Sequence, residues 1–377
     1  MHSYCIIFFD RTRKDIMSKY YFHPQDLKEY TIRYFVRWGV PSEDASMAAD
    51  VLLSADARGV DSHGMIRLNS YYGSRLRKGL INPLSPITVI KETPTTLAID
   101  GNNGLGHPLG VKTMQSCIEK ASNTGLAFAT VRNSNHYGIA GYYAMLALPH
   151  DMIGVSFTNS GPLVAPTYGR KAMLGTNPIA VAVPAKSQRP FVLDMATSIV
   201  PIGRVTVYQK EGKSIPSGWG VNSKGIITED PAQVIEGGAL MPLGGSDILR
   251  GYKGYGLALL VDIFAGVLAG SAFGENVYGS SSNSAAGVGH FFAAIKIEAF
   301  RELEGFKKDM DELLTQLKES PKAEGEDRIY IHGEKEFENA DRSAVEGVAL
   351  SETTVNILKK TGLEDGVDFD LTPLKIA

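Results

Sequence analysis

Between residues 23 and 80 the apolar positions recur every three or four residues: Leu27, Tyr30, Phe35 and Val36, then Ala45, Ala48, Val51, Leu52 and Ala55. That period lines one face of a helix, and Pro41-Ser42 opens the second run, so the spacing predicts a helical block. From residue 87 to 184 the pattern shortens to β-branched runs divided by Gly, Asn and Pro. It predicts strands at 95–99, 128–131, 153–157, 179–183 and 191–193, with helices at 110–122 and 139–148. The Gly- and Pro-rich stretch 230–247 reads as a linker or a loop returning to the helical block, since 254–270 again has the texture of a long helix. A last strand at 293–297 precedes an amphipathic helix carrying Phe306, Met310, Leu313 and Leu317, and the charged stretch 319–327 reads as a solvated loop. The expected division is a helical domain from 17–88 with 232–285 and an α/β domain from 89–231 with 286–377.

Composition narrows the class. With 377 residues, 44% hydrophobic and 21% charged, the chain is an ordinary globular protein long enough for two domains. A net charge of -3 without a basic stripe argues against nucleic acid and for a small-molecule ligand. Cys5 and Cys117 make no framework or redox pair, which points to a reducing, cytoplasmic setting. The apolar patch at 5–9 is shorter than a signal-peptide core. The apolar run 257–270 falls short of the ~20 residues that span a bilayer and holds Asp262, so it reads as a buried helix. No metal site is expected, because H-E-x-x-H, paired cysteines and an EF-hand pattern are all missing from the sequence.

Gly104, Gly106 and Gly110 follow a predicted strand and open a helix, as in a dinucleotide fingerprint. The next strand ends in Arg132, where such a fingerprint wants an acid for ribose, although an arginine can suit a 2′-phosphate. Tight-turn glycines that let helix and strand pack are the preferred reading.

Candidate chemistry concentrates elsewhere. In the run from Arg58 to Arg67, Asp61 or Ser62 reads as an N-cap, His63 opens a helix, and Arg67 follows one turn later on the same face. A guanidinium beside an imidazole suits a 2-oxo acid: one holds the carboxylate and the other exchanges a proton with the neighbouring oxygen. A capping serine with a half-exposed histidine explains the segment equally well. His136, in Arg132-Asn-Ser-Asn-His-Tyr-Gly138, follows a strand and reads as an acid/base, a cofactor contact, or a turn histidine satisfied by its asparagines. Small polar residues at Thr158-Asn-Ser-Gly-Pro162, Gly175-Thr-Asn-Pro178 and Asp194-Met-Ala-Thr-Ser198 can bind phosphate or ribose through backbone amides and hydroxyls. Asp194 can orient a histidine, accept a ribose hydroxyl or cap a helix, and Lys253 opens an apolar helix where a cation opposes the dipole.

Asp61-Ser-His-Gly-x-x-Arg67, Ser134-Asn-His-x-Gly138, Leu174-Gly-Thr-Asn-Pro178, Asp194-Met-Ala-Thr-Ser198 and Lys253-Gly-Tyr-Gly256, in this order, resemble the malate/L-lactate dehydrogenase family. That family also holds ureidoglycolate, sulfolactate, diketogulonate and cyclic imino acid oxidoreductases. The resemblance runs from about residue 23 to 334. It implies an α/β fold in which a non-Rossmann, NAD(P)-binding mixed sheet with helices stands beside a smaller, largely helical domain. It further implies a homodimer that reduces a 2-oxo acid reversibly with NAD or NADP as carrier, malate being the foremost product. Carried onto this sequence, His63 and His136 are the catalytic histidines, with His63 ranked first as proton donor, and Ser62 and Asp194 orient and polarise. Arg67 and Thr176 bind substrate. His136, Tyr137, Gly138, Ser160, Asp194, Met195, Ala196, Lys253, His332, Gly333 and Glu334 line the cofactor site. Two departures stand out: the segment before Met17 reads as an extra or a mis-assigned start, since the usual beginning resembles Lys19 onwards, and His332-Gly-Glu-Lys335 stands where the family more often shows Pro-Gly-Glu. A malate carboxylate needs a second cation, for which Arg170, Lys171 and Arg204 are eligible. The competing expectations are a non-catalytic nucleotide-binding homologue and a hydrolase built on Ser62 and His63.

Overall fold

The computed structural model describes residues 18–279 and 282–377, so Cys5 and the patch around it lie outside the described residues. Seven strands form the central sheet in the spatial order Thr88–Glu92, Thr96–Asp100, Leu126–Ser134, Val288–Lys296, Met152–Thr158, Ile179–Val183 and Phe191–Met195. Thr96–Asp100 and Leu126–Ser134 run parallel, and every other neighbouring pair is antiparallel. The mixed sheet is thus the expected one. Its middle strand, Val288–Lys296, begins five residues earlier than the pattern predicted, because Gly289-His290 interrupts the apolar run. His290 is nonetheless buried, with Thr158 Oγ1 and Ser134 Oγ each 2.8 Å from one ring nitrogen.

Small side chains bring helices close to one face of this sheet. Helices Gly106–Thr124 and Ala140–Met145 cover Ala127, Ala129, Ala180, Ala182, Val192 and Phe292. At Gly154 a Cβ would sit 2.0 Å from the Ala144 carbonyl oxygen, so only glycine admits the second helix. The opposite face carries Phe128, Phe157 and Phe291, against which Phe264 packs edge-on from the π-helical turn Asp262–Val267.

The glycine loop belongs to this packing. A Cβ on Gly106 would meet the Asn135 carbonyl at 2.3 Å, one on Gly110 would meet the Tyr143 ring at 2.6 Å, and Arg132 is paired with Asp100 at 3.0 Å.

The helical layer is built from Pro24–Arg37, Ser42–Ala57 and the turns that follow, around Leu27, Tyr30, Tyr34, Phe35, Leu52 and Tyr72. Here the packing departs from the expected division. Residues 348–376 join this layer: Val348–Ser351 and Lys375–Ile376 flank Lys19–Phe22 in a three-stranded sheet, and Val355, Leu358 and Phe369 enter the same core. Helix Tyr252–Val261 instead leads into the Asp262–Val267 turn on the central sheet. Its sequence is apolar on every side, so periodicity carried no information about which layer it meets. Residues 198–250 contain a small unit of their own, with Gly220–Val221 between Ile227–Thr228 and Ala239–Leu240. In the amphipathic helix Leu303–Glu319, Leu314 is buried at 4% exposure whereas Leu313 and Leu317 stay half exposed.

Candidate active site

A cavity of about 1200 Å3 runs between the helical layer and one end of the central sheet. The segments 136–141, 158–163, 176–178 and 194–196 all emerge at that end, because Phe157 pairs with Ile179 and Ile179 with Met195. From the strand leading to His136 to the one that carries Asp194 there are four inter-strand steps, roughly 19 Å at ~4.8 Å each. The cavity is therefore long as well as deep, and exceeds what one small acid fills. Its helical wall carries Arg58, Ser62, His63, Arg67 and Tyr71.

The turn that presents His63 is a single 3-10 turn, Asp61–His63, followed by the π-helical turn Leu68–Gly73. No side chain caps it, so the expected N-cap is absent. Ser62 Oγ instead lies 2.8 Å from His63 Nδ1, and Arg67 Nε donates to the Ser62 carbonyl at 2.8 Å. Buried Asp56 holds the turn from below by accepting the Met65 N–H at 2.6 Å, and a Cβ on Gly64 would meet that carboxyl at 2.2 Å. Burial pushes the Asp56 carboxyl well above its ordinary value, against the pull of the Met65 N–H.

His63 and His136 stack with ring centroids 5.4 Å apart and planes at 22°. They come from different layers, one from the helical block and one from the end of a strand. Burial, and then the Arg67 charge, lower His63 from 6.5 to about 4. Burial also holds His136 well below its ordinary value, with His63 and Arg67 adding to the effect. Desolvation and the Arg67 guanidinium thus both favour the neutral form of the two imidazoles. Tyr72, from the π-helical turn, lies behind His136 with its hydroxyl 2.5 Å from Nδ1.

Asp194 lies at the other side of the cavity. It is accessible from the cavity, accepts the Gly141 N–H at 2.7 Å, and burial raises it to about 6 against the pull of Gly141 and Arg58. Among the described residues it makes no hydrogen bond to either histidine, so its expected role in orienting one is not what the packing provides. Ser160 and Thr176 meet between the two ends, the Thr176 N–H donating to Ser160 Oγ at 3.1 Å.

Of the expected residues, Ser62, His63, Arg67, His136, Tyr137, Gly138, Ser160, Thr176, Asp194, Ala196, His332 and Gly333 line this one cavity. Tyr137 does so at the edge of the core, its ring sandwiched at 4.4 Å between Tyr143 and His290. Three do not line it. Met195 is paired with Ile179 in the sheet and contributes nothing to the cavity wall. Glu334 is consumed structurally: its buried carboxylate takes Lys318 at 2.7 Å, Arg328 at 3.1 Å and the Ile331 N–H at 3.0 Å. Lys253 is exposed on helix Tyr252–Val261. Among the three eligible cations, Arg204 lines the cavity, Lys171 is paired with Glu275, and exposed Arg170 stands outside.

Sequence reasoning missed Arg58, Tyr71, Tyr72, Lys335 and Glu336. Arg58 is 7% exposed, packs on the Phe337 ring at 4.6 Å, and its charge acts on Asp194 and Glu336. Position was the available signal, since Arg58 directly precedes the histidine turn and Tyr71 follows Arg67 by four residues.

The residues fit a nicotinamide dinucleotide. The cavity has the length for one, and its wall includes Gly138, Gly141, Gly161, Gly279 and Gly333, where backbone can approach a ligand closely. At Gly161 a Cβ would lie 2.7 Å from the Gly279 Cα, so the narrowing there requires glycine. Over residues 22–359 the chain matches the family model described as malate/L-lactate dehydrogenase. The chain belongs to the malate/L-lactate dehydrogenase family. It is 46% identical over 346 residues to a malate dehydrogenase of Pyrococcus abyssi, covering 91% of this chain and 95% of that one. It is 39% identical over 348 residues to an L-sulfolactate dehydrogenase of Methanocaldococcus jannaschii, covering 92% and 98%. Among solved structures, malate dehydrogenase from Entamoeba histolytica superimposes with a TM-score of 0.88 at 37% identity, covering 94% of this chain and all (100%) of that one. As a member of this family the protein is a 2-hydroxy acid dehydrogenase that works with a nicotinamide cofactor.

Proposed function

We propose that this family member interconverts malate and oxaloacetate with NAD or NADP. The observation that carries the reading is the convergence of Arg67, His63 and His136 in one cavity with room for substrate and dinucleotide together. Arg67 keeps its terminal guanidinium nitrogens for the substrate C1 carboxylate, because its Nε is already committed to the Ser62 carbonyl. Arg204 stands in the same cavity, has no carboxylate partner among the described residues, and takes the second carboxylate. The relatives named malate dehydrogenase support that choice of side chain.

When bound, reduced nicotinamide supplies the hydride. In the direction of hydroxy acid oxidation the neutral His63 accepts the hydroxyl proton at Nε2 as the carbon gives up a hydride to the oxidised cofactor; the C–H and O–H bonds break, the C=O π bond forms and the ring becomes imidazolium, and reduction runs the same steps in reverse. A hydroxyl can donate to Nδ1 or accept from it, so Ser62 supports His63 in both protonation states. Arg67 gathers the carboxylate and aligns the neighbouring carbonyl with the histidine pair.

We further propose a homodimer formed through helix Tyr252–Val261 and the turn after it. Leu257, Leu259, Leu260, Ile263, Val267 and Leu268 are 36 to 61% exposed there, a contiguous apolar face that a monomer would leave in water. Lys253 shares that helix, so its expected cofactor role requires the partner's cavity. Among the described residues no helix is long and apolar enough to cross a membrane. The cytoplasm remains the proposed setting, in keeping with the unpaired, buried Cys117 thiol.

The test follows loss of reduced-nicotinamide absorbance with NADH and with NADPH on oxaloacetate, pyruvate, phenylpyruvate and a cyclic imino acid, with light scattering for assembly. Preference for oxaloacetate supports the reading, and turnover of another panel member alone replaces the substrate. No turnover and no thermal shift from either cofactor would place the non-catalytic homologue first.

A further inference from the structure

Tyr72 belongs to none of the recognised motifs, yet it controls the less conspicuous of the two histidines. It is completely buried (0% exposed) and packed at 4.4 Å against the His107 ring. Its hydroxyl lies 2.5 Å from His136 Nδ1. The Gly138 N–H points at the same atom from 3.3 Å and also faces the tyrosine oxygen. An amide hydrogen is fixed and can only donate, so His136 Nδ1 must be a lone pair and not an N–H. The hydroxyl leads to the same answer. Among the described residues Tyr72 has no other acceptor, so a hydrogen on Nδ1 would leave a buried O–H unpaired, a costly arrangement. The second ring nitrogen, Nε2, must then carry the hydrogen of the neutral ring.

We infer that Tyr72, with the Gly138 amide, locks His136 as a neutral Nε2–H imidazole that donates a hydrogen bond to the substrate oxygen but does not give up its proton. Tyr72 is a positioning residue, acting through His136. The inference rests on the reading in which His63 supplies the proton, and it explains why two neighbouring histidines are needed. His63 faces a hydroxyl that rotates and so can cycle between two charge states; His136 faces two donors and cannot. Gaining a second proton would place an Nδ1–H against the Gly138 N–H and the Tyr72 O–H. The Arg67 charge on the helical side opposes the cation as well, and the neighbouring imidazoles of His63, His107 and His290 offer it no negative charge. Burial raises the Tyr72 hydroxyl well above its ordinary value, so the donor keeps its hydrogen throughout the working range. The arrangement presents one proton donor and one fixed dipole to the same oxygen, and the fixed dipole needs no reorganisation as negative charge develops there.

The test reads the tautomer and the chemistry separately. Nitrogen NMR of histidine-labelled, cofactor-free protein should show His136 as the Nε2–H form, without titration, from pH 5 to 9. In Tyr72→Phe an Nδ1–H population should appear in the nitrogen spectrum, and kcat/KM should fall about tenfold, the usual size for loss of one aligned hydrogen bond. His136→Gln retains an N–H donor without an exchangeable proton; it should lose no more than about tenfold in kcat, whereas His63→Gln should lose more than about a thousandfold. An Nδ1–H or imidazolium form of His136 near neutral pH would overturn the assignment, as would equal losses in the two glutamine variants. If the parent protein turns over none of the 2-oxo acids, the substrate reading fails, but the NMR result still decides the tautomer.

Discussion

Arg67→Met removes a guanidinium while keeping the stem that lies in the cavity wall, and two readouts should then move in fixed directions. Losing a charge-assisted pair to the substrate carboxylate costs about 3 kcal/mol, or roughly a hundredfold in kcat/KM. The second readout is His63. Its displacement from 6.5 to about 4 corresponds to roughly 3 kcal/mol of preference for the neutral ring. Burial is the larger cause and Arg67 the smaller, so Arg67 accounts for less than half. In the direction of hydroxy acid oxidation His63 must be neutral to accept the proton, so activity falls as pH drops through its pKa. Removing a neighbouring positive charge raises that pKa, and the acidic limb of kcat/KM should move up from about pH 4 by no more than about one pH unit. The assay is initial-rate malate oxidation from pH 3.5 to 8 with cofactor saturating, after thermal melts show that both proteins stay folded at the acid end. A loss under threefold, or a limb that moves to lower pH, would refute both the carboxylate clamp and the electrostatic coupling.

Asp194 has a folded value of about 6 against an ordinary 3.8, so the folded protein binds more protons than the unfolded chain between those values, and stability falls as pH rises through that window. In Asp194→Asn the melting temperature relative to the parent should climb from pH 4 to 6 and then level; a difference that stays flat would show that Asp194 is not desolvated. Glu334→Gln breaks two ion pairs at a buried carboxylate and should lower unfolding free energy by about 2 kcal/mol in urea titrations, with dinucleotide affinity changed less than threefold. A large affinity loss without a stability loss would return Glu334 to the cofactor site.

How far the sequence could be read depended on the range of the interactions involved. Strands Ile179–Val183 and Phe191–Met195 were legible because alternation and turn residues are local properties. Ser62, His63 and Arg67 were legible because they share one short segment. The destination of residues 348–376 was not, since it depends on an antiparallel pairing of Lys19 with Ser351, more than 300 positions apart. Glu334 looked like a cofactor ligand because its motif does; the ion pairs with Lys318 and Arg328 that occupy it exist only in three dimensions. Tyr72 carried no sequence signal, because a tyrosine at helical spacing is ordinarily core, and its hydroxyl acquires meaning only from what lies opposite.

The place of Val288–Lys296 in the middle of the sheet also governs how the molecule is made. Its partners, Leu126–Ser134 and Met152–Thr158, are synthesised more than 100 residues earlier and are hydrogen-bonded to it rather than to each other. A ribosome that has reached residue 287 has therefore released two half-sheets, each with an open edge rich in Val, Ala and Phe. Such edges pair readily with other chains. The catalytic cavity, whose floor spans both halves, comes into being only when this late strand closes the gap, so assembly and activity switch on in the same event. Translation speed through the final quarter of the gene, and chaperone supply during it, should set the yield of active enzyme more strongly than the stability of either half.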